Sequence, residues 1–407
     1  MHTIPELDQL DLMSPGFRTD PYPVYAELRR AAAVCRVRLG DGTALMVSRH
    51  ADVVTALKDA RFGSSEDATE AGAQAQLPPQ IRELQALQRN WMLFVNPPRH
   101  TRLRGLVHQA FTPRMVQALS AQIEARAHAL LDAVADRPAF DLIASYAHPL
   151  PVDVIAQILG IPIGDRVAFA RWSVDLGGTL DPTAGVEAIL RGGDAAIAFD
   201  AYLRELIDER RAHLGEDLLS ALIQAEQTGD RLSEDELIAT CVLLLLAGHE
   251  TTQNLIGNGV HALLRNPAQF ARLKTEPALM KPAIEELLRY DSPVQYTSRC
   301  VREDVVLGGI ELPRGTRLGL LIGSAHRDGG AFADPDALDL GRQENPHVAF
   351  GAGIHFCLGA MLARTEASIA LRVLLARLPG LALAEGPPPA FRDMLTLRGL
   401  QTLPVRG

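Results

Sequence analysis

The stretch Phe350-Gly351-Ala352-Gly353-Ile354-His355-Phe356-Cys357-Leu358-Gly359 decides how this chain is read. One cysteine stands among three glycines, two phenylalanines and a histidine, and residues 360–378 behind it have the composition of a helix. A cysteine just ahead of a helix meets the positive end of the helix dipole and first-turn N–H groups that lack helical partners. Both favour the thiolate. Glycines before it permit tight turns and let the backbone lie close to a flat ligand. A structural cysteine in a glycine-rich turn is the plainer alternative, but it leaves the flanking pattern without a reason.

The remaining composition fits a thiolate that works alone. Cys35, Cys241 and Cys300 are scattered, with no C-x-x-C pair, so neither a zinc ribbon nor a disulfide framework is expected. A reduced, intracellular and cytoplasmic protein is. A lone thiolate suits a metal already held by other atoms, such as the iron of a haem. The 407 residues include 40 basic and 49 acidic side chains, a net charge of −9 that argues against a nucleic-acid-binding surface. With 47% hydrophobic residues there is ample material for a core, while 5% aromatic residues are too few for a base-stacking platform. Residues 1–12 carry Glu6, Asp8 and Asp11, no basic side chain and no apolar run, unlike a signal peptide. No run approaches the ~20 apolar residues that span a bilayer, so no membrane partner is expected.

Periodicity predicts mostly helix. Apolar residues recur at three and four over 115–134, 196–207 and 237–264, the last a helix of about 40 Å at 1.5 Å per residue. Ser233, followed by Glu234 and Glu236, supplies an N-cap and an acidic first turn, and Asn266-Pro267 closes the far end. Residues 278–290 form another helix, stopped by Ser292-Pro293. Strand signals are fewer: 34–39 and 44–47 flank Gly40-Asp41-Gly42, 305–307 and 310–312 flank Gly308-Gly309, and 317–322 adds one more. The expected fold is mainly α with a small β-region fed by both ends of the chain, a single domain over 1–407. Residues 64–79 and 179–193, the latter with Pro182 and three glycines, read as mobile loops.

Three further motifs accompany the cysteine. In Ala247-Gly248-His249-Glu250-Thr251-Thr252, a glycine inside an apolar helix costs about 1 kcal/mol relative to alanine, which a flat macrocycle packed on the helix would offset. A carboxylate after wholly apolar turns is costly unless hydrogen-bonded or functional. Thr251 and Thr252 bonding back to carbonyls and kinking the helix is the other reading. Glu286-Leu287-Leu288-Arg289 places opposite charges at i, i+3, which by itself signifies only a salt bridge. Within Pro97-Pro98-Arg99-His100-Thr101-Arg102-Leu103-Arg104, His100 and Arg104 share one helical face.

Together, and in this order, the four motifs resemble those of the cytochrome P450 family in its soluble bacterial form, over essentially the whole chain. The resemblance implies one P450-like domain binding haem b (iron protoporphyrin IX) through Cys357, its metal ligand. The implied enzyme is a monooxygenase that inserts one atom of O2 into an apolar small molecule, by hydroxylation or epoxidation. It implies that Glu250 relays protons and Thr251 steadies dioxygen, and that His100, Arg104, Arg299 and His355 clamp the haem propionates. Phe111, Ala247, Gly248, Phe350, Gly351 and Gly359 complete the implied cofactor site. Glu286 and Arg289 are the implied buried pair supporting the cysteine loop. Leu93, Phe94, Leu243, Leu244, Val294, Gln295 and Leu397 are expected around the substrate.

The chain departs from the family's commonest form at Asn96 and Arg99, where acidic residues usually flank the Pro-Pro, and this alters local charge. The length is used up by the haem domain. Electrons are therefore expected from NAD(P)H through a separate ferredoxin reductase and ferredoxin, with Arg99 and Arg102 as a docking hypothesis, and a monomer is the default. A secondary metabolite, such as a polyketide, macrolide or terpenoid, is a more plausible substrate than a fatty acid. A peroxide-driven haem-thiolate enzyme and a non-catalytic haem sensor or carrier are the alternatives, and the Glu250-Thr251 pair argues against both.

Overall fold

The computed structural model describes residues 4–64, 77–227 and 232–407, so most of the expected loop at 64–79 lies outside the described residues. The chain divides into two compact units. Met1–Glu66, Ser120–Leu150 and Thr251–Gly407 form the first, and Asp67–Leu119 with Pro151–Glu250 the second.

The first unit is built on a six-stranded mixed sheet in the order Glu6–Asp11, Val34–Leu39, Gly42–Val47, Arg317–Leu321, Tyr296–Val301, Phe62–Gly63. Both ends of the unit thus feed one sheet, as expected. The hairpin 34–47 closes at Leu39 opposite Gly42, with Gly40 at φ +61°, a left-handed conformation that glycine adopts without strain. Gly42–Val47 then pairs in parallel with Arg317–Leu321, Leu45 opposite Leu318. Because successive strand side chains face opposite ways, sequence neighbours divide between two cores. Val34, Val47 and Leu320 enter one core, and Cys35, Met46 and Leu321 the other. The first core also takes in Val348 and Ala352, so one face of the sheet underlies the approach to the cysteine.

The second unit is helical. Phe169 and Trp172, on helix Arg166–Gly178, meet Phe199 and Tyr202 of helix Val186–Ala212 mostly edge to face, with Phe169 and Phe199 centroids 5.0 Å apart. The expected mobile segment 179–193 needs correction: from Val186 onward it is helix. Gly192 and Gly193 serve close packing. A Cβ at Gly192 would collide with Thr179, and one at Gly193 would collide with the backbone of Gln80 on helix Pro79–Gln88.

The central helix runs Glu234–Arg265, 32 residues. It opens with a reciprocal capping box: the Glu236 N–H donates to Ser233 Oγ at 3.2 Å, and the Ser233 N–H to Glu236 Oε2 at 3.1 Å. No helix among the described residues is long and apolar enough to cross a membrane.

Glycine-to-alanine within a helix ordinarily stabilises by up to about 1 kcal/mol. At Gly193 the opposite sign is expected, because the methyl meets backbone that has no rotamer with which to yield, and overpacking of this kind costs about 1–3 kcal/mol. Urea unfolding of Gly193→Ala, with Gly105→Ala as the control where nothing crowds the new Cβ, reads that sign directly.

Candidate functional site

In the first unit the cysteine loop is a compact turn. Gly351 and Gly353 both take φ +68°, and a Cβ on Gly353 would lie 2.6 Å from the Leu57 carbonyl oxygen, so only glycine fits there. The Gly351 N–H donates to the Val348 carbonyl and the Cys357 N–H to the Phe350 carbonyl, each at 2.8 Å. Cys357 is half-buried, and Gly359 serves as the N-cap of helix Ala360–Arg377. A Cβ added to Gly359 would sit 4.0 Å from Cys357 Sγ, which places the sulfur beside the start of that helix. His355 Nε2 lies 2.8 Å from Ser64 Oγ.

The approach to this loop is organised by Glu286 and Arg289 of helix Met280–Tyr290, both fully buried. Arg289 Nε and Nη2 donate to the two Glu286 oxygens, each at 2.8 Å. The other Arg289 donors reach the carbonyls of His326, Pro335 and Ala337. Glu286 also accepts from the Asp339 N–H, Arg342 Nε and Asn345 Nδ2. His326 Nε2 in turn accepts the Val348 N–H at 2.9 Å, and burial first of all keeps that imidazole neutral, as an acceptor needs.

Sequence reasoning missed the neighbouring carboxylate. Glu285 accepts from Arg364 at 2.6 and 2.8 Å through both oxygens and lies 2.9 Å from His347 Nε2. Burial pushes its carboxyl up, but the hydrogen bonds from Arg364 and His347 outweigh that and hold it down at about 2.

Arg299 lies on strand Tyr296–Val301 and is buried, its Nη1 donating to the Ser298 carbonyl at 2.7 Å. Desolvation pushes the guanidinium down to about 10, and among the described residues no carboxylate pairs with it. A buried cation lacking a counter-charge is what a propionate-bearing macrocycle would satisfy. Val294 and Leu397 form an antiparallel bridge, so two of the expected substrate neighbours do come together. Gln295 needs correction. Its amide is committed to the Tyr25 hydroxyl (3.1 Å) and the Ser292 carbonyl (2.8 Å), packed where Gly323 leaves room, and it supports the chain instead of facing a ligand.

On the central helix nearly every side chain between Leu237 and Val260 is buried. The less covered positions include Leu244, Ala247, Gly248 and Thr251, which at i, i+3, i+4 and i+7 form one stripe. Leu243 is buried off that stripe, so of the two leucines only Leu244 shares the face of the helix motif. Gly248 is also closely approached from one side, since a Cβ there would come to 3.1 Å from the Ile155 side chain of helix Pro149–Ile158. The buried Glu250 carboxylate lies beside Gly177, whose Cβ would be 3.1 Å from Oε2. The helix continues unbroken through Thr251 and Thr252.

His100 and Phe111 are buried in the second unit, Arg104 is half-buried, and Leu93 and the half-buried Phe94 lie close by in sequence, Phe94 stacked on Trp91. Burial, with the Arg104 charge, pushes the His100 imidazole down. Arg99 and Arg102 both close onto the buried Glu236, at 3.1 and 2.6 Å, and so fasten helix Arg99–Ala110 to the first turn of the central helix.

The family model for cytochrome P450 matches residues 188–398. Cytochrome P450 107B1 of Saccharopolyspora erythraea is 42% identical over 409 residues, 99% of each chain. The 6-deoxyerythronolide B hydroxylase of the same organism is 38% identical over 411 residues, 100% of this chain and 99% of its own. The crystal structure of P450BioI in complex with hexadec-9Z-enoic acid ligated acyl carrier protein matches with a TM-score of 0.91 at 38% identity, over 97% of this chain and 100% of that one. The chain belongs to the cytochrome P450 family. It has that family's fold and is one of its monooxygenases; the half-buried Cys357 thiol fits the family's haem iron and the buried Arg299 fits a haem propionate.

A depressed carboxyl binds fewer protons folded than unfolded, so its stabilising effect is complete above the ordinary value of 4.5 and is lost as pH falls from there towards about 2. Between those limits Glu285→Gln is expected to make the acid limb of the stability curve shallower by up to about one proton, roughly 1.4 kcal/mol per pH unit. Urea titrations of the apoprotein at stepped pH measure it.

Proposed function

We propose that the chain is a single haem-thiolate monooxygenase domain acting on an apolar or amphipathic secondary metabolite of the polyketide, macrolide or terpenoid kind. The observation that carries the reading is the less covered stripe Leu244, Ala247, Gly248 and Thr251, with the buried Glu250 carboxylate beside it. Apolar side chains there suit an apolar substrate, and one acid followed along the helix by one hydroxyl suits controlled proton entry. Similarity to the 6-deoxyerythronolide B hydroxylase supports the substrate class.

When bound, haem supplies the iron at which dioxygen is activated, and the cysteine thiolate pushes electron density toward it. The residues of the chain do the rest. Cys357 would hold the group at the start of a helix whose N–H groups favour the thiolate. By the family resemblance, Arg299, His355, His100 and Arg104 would supply donors to the propionates. Glu250 carries protons inward from water, and Thr251 Oγ1 holds the last proton at the reacting face. The balance is one substrate, one O2, NAD(P)H and one proton giving oxygenated product, water and NAD(P)+. The two electrons arrive through a ferredoxin reductase and ferredoxin, and the protein works as a cytoplasmic monomer.

Cys357→Ser is expected to abolish the strongly red-shifted Soret band of the reduced carbon monoxide complex, while Cys35→Ser, Cys241→Ala and Cys300→Ala each retain it. Retained thiolate ligation in Cys357→Ser would remove the basis of the assignment. Turnover with labelled dioxygen against a panel of macrolides, terpenoids and fatty acids, the last both free and carrier-bound, then tests the substrate class.

Thr251→Ala is expected to bind substrate within threefold of wild type but to divert most of the reducing equivalents to hydrogen peroxide. Product formation should fall at least tenfold per NAD(P)H consumed. Fully coupled turnover in that variant would overturn the role of Thr251. Turnover driven by peroxide as efficiently as by the electron chain would favour the peroxide-dependent reading.

A further inference from the structure

We propose that Glu285 is a positioning residue for the Cys357 thiolate, acting through Arg364 and His347 on the Phe350 ring. The proposal rests on the reading of Cys357 as a haem ligand. Glu285 and Glu286 are successive residues of helix Met280–Tyr290, so their side chains leave it about 100° apart. Glu286 turns to Arg289 and the chain 335–345, whereas Glu285 turns to the cysteine helix and to the residues just before the loop.

The contact is a fork. Arg364 Nε and Nη2 each reach a different oxygen of Glu285, at 2.6 and 2.8 Å, which fixes the plane of the guanidinium. That plane carries the Phe350 ring, whose centroid lies 4.4 Å from the guanidinium carbon. The second Glu285 oxygen also holds His347, and the His347 and Phe356 rings lie 6.3 and 6.4 Å from Phe350, both tilted. Phe350 is therefore held by three side-chain partners, Arg364, His347 and Phe356, the first two tied to one carboxylate, and its own carbonyl accepts the Cys357 N–H at 2.8 Å. A displacement of Phe350 that carries its backbone along would move that acceptor, and with it the backbone from which the sulfur projects.

An ordinary half-exposed ion pair would contribute general stability and nothing local. Two variants separate the readings. Glu285→Gln keeps size and shape and loses the charge, and Arg364→Lys keeps the charge and loses both the fork and the flat face over Phe350. In the holoprotein each is expected to raise the thiol-ligated fraction of the reduced carbon monoxide complex at least threefold at pH 7. A shift in the ferric/ferrous midpoint potential should accompany it, and Glu285→Asp should recover at least half of both effects. In the apoprotein, amide exchange of residues 347–357 should accelerate at least tenfold in both variants, with helix Val186–Ala212 unchanged.

Wild-type spectra and wild-type exchange in both variants would overturn the proposal. So would acceleration spread evenly over the chain, which is what a structural ion pair predicts. A wild-type holoprotein without thiolate ligation would overturn the haem-thiolate reading instead, and the exchange pattern of the apoprotein would still decide whether Glu285 orders the loop.

Discussion

The cysteine loop depends on an ion pair that is stable only when the chain around it is already folded. Removing a carboxylate and a guanidinium from water costs several kcal/mol per ion even after relaxation, and their mutual attraction repays this only if the remaining donors and acceptors are also met. Glu286 and Arg289 meet that condition. The five N–H donors of Arg289 go to the two Glu286 oxygens and to three carbonyls, and Glu286 takes three further donors from residues 339–345. Neither the pair nor the chain 326–345 is favourable without the other. The order so imposed passes through His326 to the Val348 N–H, and from the Val348 carbonyl to Gly351.

The same dependence explains what the sequence disclosed. The long helices were legible because burying one face of a helix repeats every 3.6 residues, and the central helix also carries its start signal in Ser233 and Glu236. Strand Tyr296–Val301 was missed because Tyr-Thr-Ser-Arg-Cys-Val has no clean alternation, its buried Arg299 occupying a position where an apolar residue would have marked the inward face. Cys357, Glu286 and Arg289 were legible from short local patterns. Glu285 and Arg364 were not, since either alone is an unremarkable charged helix residue and their partnership exists only across 79 positions. Choosing Leu244 over Leu243 likewise needed the rotation of the helix, which depends on its neighbours.

Glycine was the residue type most open to misreading. Gly192 and Gly193 suggested mobility, yet each stands where neighbouring chain leaves no room for a Cβ. Gly351 and Gly353 differ in kind, since their left-handed backbone is what folds the cysteine loop. Composition alone does not separate the two uses. Arg99 and Arg102 show the parallel ambiguity for charge, because a basic run that reads as a docking face also has an internal partner in Glu236.

Arg299 leaves the same condition unmet within the described chain. Its guanidinium is desolvated and has no carboxylate among the described residues, whereas Arg289, buried at least as deeply, has one. A fold that retains an uncompensated buried cation is less stable than it need be, unless an anion arrives from outside the chain. A ligand that binds only the folded state returns that stability by mass action. The first unit is thus built so that its stability rises when an anionic group reaches Arg299, and the carboxylates of a haem held at Cys357 are the anions its own chemistry would place there.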